Sequence, residues 1–193
     1  PARFIFTTSG SKFSLLYAPA QPIWFSRPGS YLAAPAAATL NITSWNATPA
    51  LLPGETYQVD AVVKNPNIEQ LRATNAQYPQ WITEKYLQLP EGFSPRIKAL
   101  AEELTAQAET PYDKTSAITR YLRENIEYAA TIPDAPRNAD PLEWLLFEYK
   151  KGYCVYYATS EILMLRSIGI PARMAVGFAQ GTGTSQGGID ENV

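Results

Sequence analysis

The sequence predicts an α+β protein in two parts: a small β-rich region over residues 1–89, then a helical domain over 90–193 that enters its sheet near the end. Three observations predict it. Residues 1–65 are rich in Pro, Thr, Ser and aromatics with short alternating runs, which favour strands. After residue 90 apolar positions recur at i, i+3 and i+4 behind recognisable caps, the pattern of helices with one buried stripe. The last such helix is followed by the strand-like run "ARMAVGFA".

In chain order, the clearest strand is "TYQVDAVV", with Tyr57, Val59, Ala61 and Val63 on one face. Pro53-Gly54 marks the turn before it and Pro66 closes it. Residues 69–81 suggest a short helix ending at "YPQW", and "YLQLPEGF" an extended connector, because Pro90 and Gly92 resist regular structure. Ser94 caps a helix opening at Pro95, with Ile97, Leu100, Ala101, Leu104 and Ala108 inward. A second helix starts at Thr110-Pro111 and buries Ala117, Ile118, Tyr121, Leu122 and Asn125 or Ile126. A third opens at Asp140, with Pro141 in the first turn and Glu143 placed to complete a capping box. It is expected to end at Lys150-Lys151-Gly152, where cations and a glycine suit a helix C-terminus.

The fourth helix spans Cys154 to Ile168, stops at Gly169 and is barred from continuing by Pro171. Its expected stripe is Ala158, Ile162 and Leu165, flanked by Val155 and Met164. The strand after it would set Ala172, Met174, Val176 and Phe178 on one side, ahead of the polar loop "QGTGTSQGGIDEN".

Composition narrows the function. With 193 residues and 46% hydrophobic content, the chain can bury a real core. A formal charge of −2 offers no footprint for nucleic acid, so none is expected as a partner. No run approaches the ~18 apolar residues of a membrane span. Without histidine and with one cysteine, no transition-metal spacing exists, and neither metal nor cofactor is expected. Two sequons, at Asn41 and Asn46, would matter only in a eukaryotic secretory pathway.

Cys154 is the residue with chemical promise. A lone cysteine is most often a small buried hydrophobe. This one sits in the first turn of a helix, where the dipole and unpaired backbone N–H groups favour thiolate, the nucleophilic form. Gly152 would let the backbone turn sharply and let a substrate carbonyl approach those donors. Tyr153, Tyr156 and Tyr157 read as packing around the helix start. Arg166 and Arg173 read as structural, Arg173 through an acid near the helix–strand junction.

"GYCVYYATSEILMLRSIGIPARMAVGF" closely resembles the core of the transglutaminase-like superfamily: Gly-x-Cys, an alanine four residues on, Leu-x-Arg, Gly-Ile-Pro-Ala-Arg, then a strand ending in Gly-aromatic. "YLQLP", "ITRYLRENIEYA" and "NADPLEWLLFEYKKGYC" resemble its membrane-anchored bacterial branch, and the resemblance covers residues 50–181. It implies a papain-like core, represented here by its helical half and first sheet strand. It implies that Cys154 is the nucleophile of a Cys-His-Asp triad and that Tyr128 helps donate to the oxyanion. The histidine and aspartate would come from the two strands after Met174–Phe178; Asp190 precedes that place and is not the triad acid.

The resemblance further implies acyl transfer on protein glutamine side chains through a thioester on Cys154, resolved by an amine or water. The partners would be a glutamine-bearing protein or peptide and an amine donor. The location would be the extracytoplasmic face of a cell membrane, as part of a larger membrane protein. We expect this chain to be a piece of such a protein, inactive alone, and prone to self-association through an open sheet edge. Two rivals stand beside this reading: a cysteine protease or amidase of the same fold, and a non-catalytic structural or peptide-binding module.

Overall fold

The strands of the first part turn some of their side chains onto a shared core. The structure, a computed structural model, describes residues 1–34 and 41–177. Its first unit covers residues 1–65. Strands β1 (Ala2–Thr7), β6 (Thr56–Ala61) and β3 (Pro22–Phe25) form one antiparallel sheet in the order β1-β6-β3. Strands β2 (Phe13–Leu15), β5 (Asn41–Leu51) and β4 (Gly29–Ala34) form another, in the order β2-β5-β4. Leu16, Phe25, Ile42, Ala47, Leu51, Tyr57 and Val59 make the common core.

The expected alternation holds for Tyr57, Val59 and Ala61, all buried, and fails at Val63, which is exposed beyond the end of β6. Phe25 stacks on Trp45 at 4.6 Å and Phe6 on Tyr57 at 5.0 Å. The Tyr57 hydroxyl accepts from the Tyr17 N–H and donates to the Tyr17 carbonyl, both at 3.0 Å. Burial pushes the Tyr57 phenol up to about 12.

The second unit covers residues 66–176. The strands of the first part end at Ala61, whereas the expected β-rich region ran to residue 89; residues 66–89 group with the helices instead. The segment 69–81 differs from a single short helix. Helix α1 (Ile68–Arg72) opens with a reciprocal Asn67–Gln70 capping box, and α2 (Gln80–Tyr86) begins after Pro79 and runs into the expected connector. Arg72 pairs with Asp113 at 2.8 Å, tying α1 to the head of α4 (Pro111–Asn125).

Of their expected stripes, helices α3 (Pro95–Thr105) and α4 bury Ile97, Ala101, Ile118 and Leu122, and Ile126 is buried too; Leu100, Leu104, Ala117 and Tyr121 are half-buried, and Ala108 lies beyond the end of α3. Ser94 caps α3 by accepting from the Ile97 N–H. The last long helix, α6 (Cys154–Ser167), packs on both. Its buried face is Ser160, Met164 and Leu165, while Ala158 and Ile162 are half-buried and Val155 is exposed. The expected stripe was therefore rotated, because α6 is apolar on several faces and its neighbours choose which one to cover.

The end of α6 matches the sequence. Gly169 has φ +83, the left-handed region where a side chain is strained. Its N–H donates to the Arg166 carbonyl and the Ile170 N–H reaches back to Leu165, a Schellman ending.

The strand expected at Met174–Phe178 is corrected over its described part: residues 171–177 have no strand structure, and Met174 and Val176 are exposed. A β-prone run becomes a strand only by pairing, and no described strand pairs with this one. Phe178 and the loop after it lie outside the described residues.

Candidate active site

The chain reaches Cys154 through a sharply articulated approach. The third expected helix opens as predicted: the Asp140 carboxylate accepts from the N–H groups of Leu142 and Glu143, at 2.9 and 2.8 Å, ahead of α5 (Pro141–Glu143). Glu143 does not complete a capping box; it accepts from the Ser94 hydroxyl instead, joining two helix starts.

The helix then widens into a π-helical turn over Trp144–Tyr149. Five-residue spacing brings Trp144 and Tyr149 one above the other, stacked at 4.5 Å, while Arg96 lies 3.9 Å from the Phe147 ring centroid. The turn ends at Lys150 in the left-handed region, φ +55. Gly152 is thus not the terminating glycine; it belongs to β8 (Lys151–Gly152).

Strand β8 pairs in parallel with β7 (Glu127–Tyr128), setting Glu127 against Lys151 and Tyr128 against Gly152. The Lys151 ammonium meets the Glu127 carboxylate at 2.8 Å, which holds its pKa above the ordinary range. Tyr153 follows as the N-cap of α6 and offers no side-chain acceptor to the first-turn donors. Cys154, the first residue of the helix, is exposed.

Gly152 has a different reason from the one expected. A Cβ there would stand 2.9 Å from the Cβ of Tyr156 and 3.3 Å from Cδ1 of Leu145. The glycine lets α6 close over β8. The Tyr153 and Tyr156 rings meet edge to face at 4.8 Å, in keeping with packing around the helix start. Sequence reasoning missed that the Tyr157 hydroxyl donates to the Ile126 carbonyl; a tyrosine near a helix start carries no signal for a partner 31 positions away.

The structure thus brings β7, with Tyr128, alongside the strand that delivers Cys154. Tyr128 is exposed to 68%, so its ring is open to a ligand. Arg166 is structural: its Nε and Nη2 donate to the Ala172 carbonyl and its Nη1 to that of Gln88. Arg173 meets an aromatic rather than an acid, donating to the Tyr86 hydroxyl at 3.4 Å with its guanidinium beside that ring. Among the described residues, no group of three or more His, Cys, Asp or Glu could hold a metal. No helix among them is long and apolar enough to cross a membrane.

The site thus consists of an exposed thiol at the head of α6, next to a short parallel ladder. Residues 98–191 match the model of the transglutaminase-like superfamily. The chain is 33% identical over 141 residues to the uncharacterized protein YebA of Bacillus subtilis, a match covering 70% of this chain and 18% of that protein. It is 36% identical over 96 residues to the protein-glutamine gamma-glutamyltransferase of Pseudomonas aeruginosa, covering 49% and 14%. The chain thus spans less than a fifth of either relative. The crystal structure of the periplasmic domain of TgpA from Pseudomonas aeruginosa has a similar fold, with a TM-score of 0.58 at 20% identity over 88% of this chain and 52% of that one.

Proposed function

We propose that this chain carries the nucleophile of a transglutaminase-like thiol acyltransferase, and that Cys154 is that nucleophile. The observation that carries the reading is the placement of the chain's one cysteine: exposed, first in α6, and inside the stretch that matches the superfamily. The thiolate adds to the side-chain amide carbon of a glutamine, and the oxyanion takes hydrogen bonds from first-turn N–H groups and the Tyr128 hydroxyl. The C–N bond breaks, a proton reaches the departing nitrogen, and ammonia leaves a thioester on Cys154. A primary amine then attacks the thioester carbon and expels the thiolate, giving an isopeptide bond; water in its place gives glutamate. The sequence contains no histidine, so an imidazole that delivers the proton is not among these 193 residues. The substrates are a glutamine-bearing protein or peptide and an amine. The setting is the extracytoplasmic side of a membrane, within a larger anchored protein; the periplasmic origin of the similar crystal structure supports it.

The test uses the longer natural protein with casein and a fluorescent primary amine. Amine incorporation that vanishes in Cys154→Ala is expected, together with a mass shift on Cys154 when the acyl-enzyme is trapped. The 193-residue chain alone should show no turnover, since general acid–base help is worth about 10²–10⁴-fold. Casein cleavage without incorporation would make the protein a protease, and activity surviving Cys154→Ala would remove the nucleophile from this site.

A further inference from the structure

The first turn of α6 rests on a ladder two residues long. Its backbone bonds run from the Glu127 N–H to the Lys150 carbonyl, at 2.8 Å, and from the Ala129 N–H to the Gly152 carbonyl, at 2.9 Å. So short a pairing fixes little by itself. A third tie reaches it from the helix side. Tyr157 lies three positions after Cys154, hence on the neighbouring part of the same helix face, and its hydroxyl donates to the carbonyl of Ile126, the residue just before β7. The Ile126 N–H in turn closes α4 on the Leu122 carbonyl at 3.0 Å. One carbonyl therefore joins the end of α4, the start of β7 and the head of α6. Burial, and then the Glu127 carboxylate, push the Tyr157 phenol upward, so it stays a donor across the neutral range.

We propose that Tyr157 is a positioning residue for Cys154: its bond to Ile126 sets the first turn of α6 against β7 and fixes where the thiol stands relative to Tyr128. The proposal rests on Cys154 being the nucleophile. Its consequence is that a hydroxyl making no contact with substrate decides whether thiol and oxyanion donor face one carbonyl together.

Tyr157→Phe in this chain removes one oxygen and keeps the ring. Amide exchange at Glu127, Ala129, Tyr156 and Tyr157 should quicken about tenfold, the scale of one hydrogen bond, while Ala101 and Ile118 keep their protection. The rate at which iodoacetamide alkylates Cys154 should change with it. Tyr156→Phe, the neighbouring phenol, should leave Glu127 and Ala129 as they were. Exchange quickened equally across α3 and α4, or an alkylation rate that does not move, overturns the proposal. The two readings fail separately. The nucleophile is judged by turnover of the longer protein as Cys154→Ala, whereas the tie is read here without any turnover.

Discussion

At the residue scale, the approach to Cys154 depends on a missing side chain. Gly152 is buried under Tyr156, and the atom it would crowd at 2.9 Å is the Cβ of Tyr156, which moves only with the α6 backbone. Leu145 could swing aside; the helix cannot do so at no cost. Gly152→Ala should therefore destabilise the second unit by about 1–3 kcal/mol, the range of overpacking. A urea titration reads it, and an unchanged midpoint would show that α6 tolerates the shift. The residue pattern Gly-x-Cys was legible in the sequence, but its reason was not. Glycine next to a nucleophile suggests room for substrate; the structure fills that room with the protein's own tyrosine.

At the scale of elements, caps were the most readable feature, and their second partners the least. Ser94, Thr110 and Asp140 start helices, and Gly169 ends one, where the sequence places them, because a cap is a local arrangement among residues a few positions apart. Glu143 was expected to serve its own helix and instead receives the Ser94 hydroxyl from 49 positions away. Ser94→Ala removes both a cap and this cross-link, so it should cost about 1–2 kcal/mol. In a double-mutant cycle with Glu143→Gln, additive costs would mean the two groups are not coupled. The π-helical turn was also hidden. Nothing in "WLLFEY" forbids an ordinary helix, and its widening is visible only once Trp144 stacks on Tyr149.

For the molecule as a whole, each of the two units carries its own core, and the pH dependence of the first turns on a phenol. Tyr57 is fully buried and has its pKa raised from 10.0 to about 12, chiefly by desolvation. Its neutral form belongs to the fold. A group raised in this way contributes stability that is whole below pH 10, where the unfolded phenol is also protonated, and that drains away as pH climbs toward 12. The urea midpoint should fall over that window, and less steeply in Tyr57→Phe, which will also be weaker at neutral pH through loss of its bonds to Tyr17. Equal slopes in the two proteins would place the alkaline sensitivity of the first unit elsewhere.

Sequence by itself determined the α+β class, the capped starts and stops of the helices, the alternation Tyr57-Val59-Ala61, and the place of Cys154 at a helix head. All of these are set by neighbours along the chain. Tertiary structure decided which face of α6 is buried, that Lys150 rather than Gly152 turns the chain, and that Tyr157 reaches Ile126. It also decided that residues 171–177 form no strand among the described residues. The physical reason is common to three of these four, the helix face, the hydroxyl and the missing strand. An apolar helix can bury more than one face, a hydroxyl has many acceptors within reach, and a β-prone run needs a partner; in each case the choice belongs to groups that the chain brings near only by folding.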